Sequence, residues 1–295
     1  MDWESQLITL YLLICEEYRT KLWVTCERFT NGGNRSFSDE EVLVIYLVAV
    51  LRGFKEVKAI HRYAQDHLKE LFPSLPQYPA FIHRVNRLSE AFRMLIDVLQ
   101  SQKVAACDDS VYLVDSFPIS LAKGQHAYTA KVAPNLASKS YNSTKKMYYY
   151  GLKSHVVARK REASLPDVEV LMIEKASRQD EPMFDQLRPM LNDNLVFGDK
   201  AYKRPDEHKI ELAQNLKVFT PTIKTRGVEL TAKQKTFSKA VSRMRQPIET
   251  LFGWINRITG IENASLIRSS AGLMTHIFGR IAGAMILKAM PQLDF

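Results

Sequence analysis

The sequence predicts an α/β protein: a mixed sheet flanked by helices, preceded by an all-helical N-terminal region. Three observations carry that expectation. Residues 1–105 place their apolar side chains at helical spacing. From about residue 110 the texture changes to short apolar and β-branched runs of strand length. Those runs then alternate with helix-like stretches, as in a sheet built with crossovers. The chain has 295 residues, enough for one large domain or a large and a small one. An apolar share of 46% is ordinary for a folded soluble protein and supports a sizeable core.

In the N-terminal region, Ser38-Asp39-Glu40-Glu41 reads as a capping box, with Ser38 as N-cap and Glu41 at N3. A buried helix then begins with the apolar run 42–47. Residues 55–71 set Val57, Ile60, Ala64, Leu68 and Leu71 at helical spacing among basic residues. Pro73, Pro76 and Pro79 interrupt, and residues 81–99 resume the pattern. Short helices with a basic first turn suit a helix-turn-helix-like DNA reader; a plain helical bundle with solvated basic faces gives the same pattern.

The strand-rich part begins with residues 111–114, a continuous apolar run. Residues 147–157 and 168–173 are the second and third strands, rich in β-formers. A helix over 181–191 sets Phe184, Leu187 and Leu191 on one face. Residues 195–198 form the fourth strand. Pro205-Asp206-Glu207 opens a helix that runs to about Leu216. A fifth strand covers 217–220, and a long helix starts near Thr231. This order, three strands and then alternating helix and strand, is that of a ribonuclease-H-like fold. Residues 121–146 read as a lysine-bearing loop between the first two strands, its lysines suited to phosphate contact. The expected division is a helical, DNA-binding region over 1–105 and a catalytic domain with a C-terminal helix over 106–295.

Other classes are disfavoured. Cys15, Cys26 and Cys107 are scattered and form no CxxC pair, so neither a zinc site nor a disulfide framework is expected. No signal peptide is expected. Residues 273–290 are apolar but carry His276, Arg280 and Lys288, so a soluble core helix is expected, with Gly279 and Gly283 permitting close packing rather than a membrane span. His126, His208 and His276 have no partner motif and read as structural or surface residues. The net charge of +9 favours an anionic partner, nucleic acid before a membrane surface.

The chemistry is expected at three carboxylates. Asp115 follows the apolar run 111–114, Asp199 follows 195–198, and Glu249 borders the apolar stripe of Ile248, Leu251, Phe252 and Ile255 on a helix. Two strand-end carboxylates and one helix carboxylate suit a pair of divalent cations that clamp an in-line displacement at phosphorus. Oxygen donors favour Mg²⁺, with Mn²⁺ as a substitute. A salt bridge from Glu249 to Arg245, four residues earlier, is the plain alternative.

Four segments carry a resemblance. Leu113-Val114-Asp115-Ser116-Phe117-Pro118-Ile119, Tyr150-Gly151-Leu152-Lys153-Ser154-His155, Val196-Phe197-Gly198-Asp199-Lys200-Ala201-Tyr202 and Arg245-Gln246-Pro247-Ile248-Glu249 resemble those of bacterial insertion-sequence transposases of the DDE superfamily. The resemblance covers roughly residues 110–260. It implies that Asp115 binds both metals while Asp199 and Glu249 complete one site each. It implies that Lys153, His155, Lys200, Tyr202 and Arg245 lie near the scissile DNA strand. Tyr202 is expected to pack or stack there rather than act as a nucleophile. Ser242 and Asn256 depart from the Tyr and the basic residue that related families carry at those positions. The implied activity is cleavage and strand transfer at the element's inverted repeats, by a cytoplasmic homodimer on double-stranded DNA. A two-metal DNA nuclease, a catalytically silent DNA-binding descendant and a small-substrate phosphatase are the alternatives.

Overall fold

The computed structural model describes residues 2–27, 36–101, 111–143, 145–178, 184–186, 191, 194–202, 215–224 and 227–295. In chain order the main elements are α1 (Trp3–Glu17), α2 (Asp39–Leu51), α3 (Val57–His67), α4 (Tyr78–Arg87), α5 (Ser89–Ser101), β1 (Val111–Lys123), α6 (His126–Thr129), β2 (Ser138–Asn142), β3 (Met147–Arg159), β4 (Asp167–Lys175), β5 (Leu195–Phe197), β6 (Lys217–Phe219), α7 (Ala232–Thr259) and α8 (Ser270–Ala289). The chain divides into two compact units. One is Met1–Val104, Lys131–Ala133 and Ile255–Phe295; the other is Ala105–Ala130 and Pro134–Trp254. This differs from the expected division, which left 255–295 with the sheet.

The helical unit forms around α2. Ser38 Oγ accepts from the Glu41 N–H at 3.2 Å, and the Glu41 carboxylate accepts from the Ser38 N–H, so the predicted capping box is present. Every residue from Val42 to Leu51 is buried, as an all-round apolar helix requires. α8 packs on α2. A Cβ on Gly279 would stand 2.5 Å from the Tyr46 ring, and one on Gly283 would stand 3.4 Å from Val50. The GxxxG spacing therefore serves close packing inside this unit. α8 has the length and composition of a membrane span, but 78% of its apolar window is buried within the protein.

Two polar side chains in α8 are structural. Arg280 Nε donates to His276 Nδ1 at 3.0 Å, which leaves His276 Nε2 to donate to the Ile261 carbonyl at 2.9 Å. Burial, reinforced by Arg280, pushes the His276 pKa down to about 3, so the ring is neutral. Arg280 also binds the carbonyls of Thr259 and Lys55. Pro79 does not break a helix: it sits in the first turn of α4, where its missing N–H is not needed. The expected helix over 81–99 is two helices, separated at Leu88.

The second unit holds a six-stranded sheet in the order β2-β3-β1-β5-β6, with β4 also pairing β3. β3 pairs β2 along 147–151 and β4 along 152–159. β1 and β3 are antiparallel, as are β3 and β4, whereas β1, β5 and β6 are parallel. Setting β2 aside, this is the ribonuclease-H-like topology expected from the element order. The region 121–146 is not a plain loop, because it includes the end of β1, α6 and β2. One face of the sheet carries Val114, Val157 and Val196 in a buried cluster with Phe184, Leu191, Tyr202 and Leu216. On the other face, Phe117 meets Phe252 of α7 with ring centroids 4.8 Å apart, and Ile248 and Leu251 are buried. Of the expected helix over 181–191, only 184–186 and Leu191 are described, and Phe184 and Leu191 are buried. The expected helix from Pro205, His208 and Cys107 lie outside the described residues.

Candidate active site

Register brings the two aspartates together. β1 and β5 run parallel with Leu113 opposite Phe197. Asp115 and Asp199 each stand two residues farther on, at the C-terminal end of the parallel strands, where α/β sheets hold their ligands. Only Asp199 lies past its strand. Asp115 lies within β1, which runs to Lys123, so the expectation that it ends a strand is corrected. It stands where β1 loses its parallel neighbour, which opens the side chain to the sheet's end.

The third carboxylate comes from α7. The apolar stripe of this helix lies on the sheet face that carries Asp115, and Arg245 and Glu249 follow one another by a turn on that side. Arg245 is the centre of the group. Its Nη2 donates to Asp115 Oδ2 at 2.7 Å. Its Nη1 is 3.7 Å from Asp199 Oδ1, and its Nη2 is 3.9 Å from Glu249 Oε1. The expected Arg245–Glu249 pair is thus the weakest of three contacts. Side-chain exposure rises from 9% at Arg245 and 18% at Asp115 to 51% at Asp199 and 60% at Glu249, so the cluster has a buried end and an open end.

Burial pushes the Asp115 carboxyl up to about 6. The Arg245 guanidinium and the Ser116 N–H, which donates to Asp115 Oδ1 at 2.8 Å, oppose that shift, whereas the like charges of Asp199 and Glu249 reinforce it. Three ionised carboxylates against one guanidinium would leave two surplus negative charges. An all-carboxylate donor set with that surplus fits a hard divalent cation. Arg245 stands among the three carboxylates, and among the described residues no three His, Cys, Asp or Glu side chains are grouped closely enough to hold a metal ion as they stand.

The structure does not bring every predicted residue to this cluster. Cross-strand partners share a face, and Asp115 pairs Val156 whereas Ser116 pairs His155 and Pro118 pairs Lys153. His155 and Lys153 therefore stand on the opposite face. His155 is fully buried, and Lys153 Nζ reaches the Arg178 carbonyl at 3.4 Å. Tyr202 is 1% exposed and packs edge-on against Phe184 at 5.8 Å. Direct DNA contact by His155 and Tyr202 is thus corrected: both are core residues, and Tyr202 packs as expected but inside the protein. Lys200 is exposed, next to Asp199. The sequence reading missed Ser116, whose N–H no side-chain pattern could reveal.

A family model described as a transposase DDE domain matches residues 106–286. The chain belongs to the DDE transposase family. That match spans all three carboxylates of this transposase-family chain. No curated protein matches it. Among solved structures, a pre-cleavage Mos1 transpososome is similar over 91% of this chain and 82% of that chain, at 10% identity and a TM-score of 0.23. The strand order β4-β3-β1-β5-β6 defines the fold.

Proposed function

We propose that this transposase-family chain cuts DNA at the ends of an insertion sequence and joins the freed end to target DNA. The observation that carries the reading is the convergence of Asp115, Asp199 and Glu249, from three separate elements, on one buried guanidinium. Asp115, Asp199 and Glu249 are the residues that would hold two Mg²⁺ ions, with Mn²⁺ as a substitute. When bound, such ions polarise the phosphoryl group and stabilise both the attacking and the leaving oxygen.

The chain's own residues do the rest. Asp115, fixed by the Ser116 N–H, is the rigid member of the set, and its burial keeps water from competing for its oxygens. Asp199 and Glu249 are solvent-facing and free to adjust as ligand arrives. Arg245 offsets the negative charge of the three carboxylates, and its guanidinium is the group that would bind a DNA phosphate beside them. Lys200 contacts the backbone beside the scissile phosphate. In the helical unit, the exposed Lys58 and Arg62 of α3 form the face suited to DNA. The active form is a cytoplasmic homodimer on double-stranded DNA, one protomer for each inverted repeat, with no membrane partner.

A catalytically silent descendant is favoured by one observation, the lack of three ligands at metal-binding spacing among the described residues. Cleavage and joining assays on duplexes carrying the flanking inverted repeats, with Mg²⁺, Mn²⁺ or EDTA, separate the readings. Cutting with joining supports the transposase, cutting without joining a nuclease, and binding without cutting the silent descendant.

A further inference from the structure

Between Asp115 and Glu162 the sequence has no Asp or Glu, while it has nine Lys and Arg residues. Much of this stretch forms a ribbon. Past Asp115, β1 continues paired to β3, and β2 pairs the first part of β3. Asp115 is opposite Val156, and Tyr148 is eight residues back along β3, so strand alternation sets Val156 and Tyr148 on the same face. The distance between them along the strand is about 26 Å at ~3.3 Å per residue.

At that end of the ribbon stands an uncovered aromatic group. Tyr148 is opposite Tyr141, and the two rings meet at 5.0 Å in a T shape. Tyr128 of α6 adds a third ring, 5.6 Å from Tyr148. All three are large exposed hydrophobic side chains. Lys139 holds its ammonium 4.3 Å from the Tyr128 ring centroid and 5.8 Å from that of Tyr148. Lys145 is exposed between β2 and β3.

We infer that this tyrosine–lysine patch binds an unpaired DNA strand, its bases stacked on the rings of Tyr128, Tyr141 and Tyr148 and its phosphates on Lys139 and Lys145. Charge selects the partner. A second copy meeting the patch with the same patch would set lysine against lysine with no acid between them, whereas a polyphosphate strand complements it. The rings select the strand's state, because bases in an intact duplex are already stacked and offer no free face. The inference rests on the proposed function and names a second contact for the DNA held at the carboxylates.

The test is fluorescence anisotropy in EDTA with a labelled 30-nucleotide dT strand and a blunt 30-base-pair duplex, over a series of KCl concentrations. Tyr148→Ala with Tyr128→Ala is expected to weaken binding of the single strand by about 5- to 100-fold and to change duplex binding little. Tyr148→Phe retains single-strand affinity. Lys139→Ala with Lys145→Ala is expected to flatten the salt slope by about 1.4. A 2-aminopurine in the strand should be quenched on binding wild type and less so on binding the double Tyr variant. Unchanged single-strand affinity in that variant overturns the inference, as does an equal loss on both probes, which would make the patch a duplex contact. Self-association lost in the variant with DNA binding intact also overturns it, in favour of a second copy. If wild type cuts inverted-repeat DNA while the Tyr variants bind the single strand normally, only this inference falls. If wild type neither binds nor cuts, the proposed function falls with it.

Discussion

Replacing Asp115 by Asn is expected to stabilise the metal-free protein, and to do so only as the pH rises. The carboxyl, ordinarily at 3.8, is pushed up to about 6 in the folded protein, chiefly by burial. Between those values the folded chain holds a proton that the unfolded chain has released. The stability that this group permits is therefore complete below pH 3.8, falls as the pH climbs, and has been lost above about 6. At about 1.4 kcal/mol per pH unit, ionised Asp115 costs the metal-free fold about 3 kcal/mol at pH 7. Asn carries no such cost, and Asp199 and Glu249 still face Arg245 in the variant. Urea unfolding in EDTA at pH 4, 5, 6 and 7, followed by circular dichroism, should show Asp115→Asn gaining about 2–3 kcal/mol on wild type across the series. Added Mg²⁺ or Mn²⁺ should raise wild-type stability at pH 7 and leave the Asn variant nearly unmoved. A difference between the two proteins that stays flat with pH would refute the reasoning, since it would mean that Asp115 ionises as freely folded as unfolded.

Three further outcomes concern stability and the role of Tyr202. Gly279→Ala sets a Cβ 2.5 Å from the buried Tyr46 ring and is expected to cost about 1–3 kcal/mol in urea melts, whereas Gly283→Ala, at 3.4 Å from Val50, should cost less. Ser38→Ala removes the capping box of α2 and should cost about 1 kcal/mol by the same measurement. Tyr202→Phe should leave metal-dependent cutting within a few fold of wild type, because this ring packs against Phe184 in the core; loss of all cutting with the fold intact would restore a chemical role for the hydroxyl.

The parts of the fold that were legible in the sequence follow one-dimensional rules. The capping box, the apolar α2 and the sheet's strand order all show in residue type and period. The extension of β1 past Asp115 did not. Phe117, Ile119 and Leu121 alternate with Ser116, Pro118 and Ser120, a half-buried strand signal with a proline inside it. The structure accommodates the proline: β5 pairs only Val111–Leu113, so farther along that side of β1 no β5 carbonyl lacks the N–H that proline cannot donate. The placement of 255–295 with the N-terminal helices depends on Gly279 meeting Tyr46, and nothing local in the sequence names that partner.

The site divides in the same way. Asp115, Asp199 and Glu249 were legible because each borders an apolar run that fixes it at the rim of a core. Lys153 and His155 were misplaced because strand register is not legible: a one-residue slip exchanges the two faces of a strand. With Asp115 opposite Val156, the odd-numbered residues of this part of β3 face away from the carboxylates. The place of Arg245 at the centre depends on three contacts from three elements, of which only Glu249 is its neighbour in sequence.

The most direct test of the account is cutting of an end-labelled duplex carrying the inverted repeat that flanks the gene, in Mg²⁺, Mn²⁺ or EDTA, by wild type and by Asp199→Asn. Asp199 is exposed, so its substitution should leave the fold intact and separate chemistry from stability. The account predicts cutting and joining in either metal, none in EDTA, and none by Asp199→Asn, with DNA binding retained. Cutting by Asp199→Asn at the wild-type rate, or by wild type in EDTA, would contradict the assignment of the three carboxylates as a metal-dependent active site.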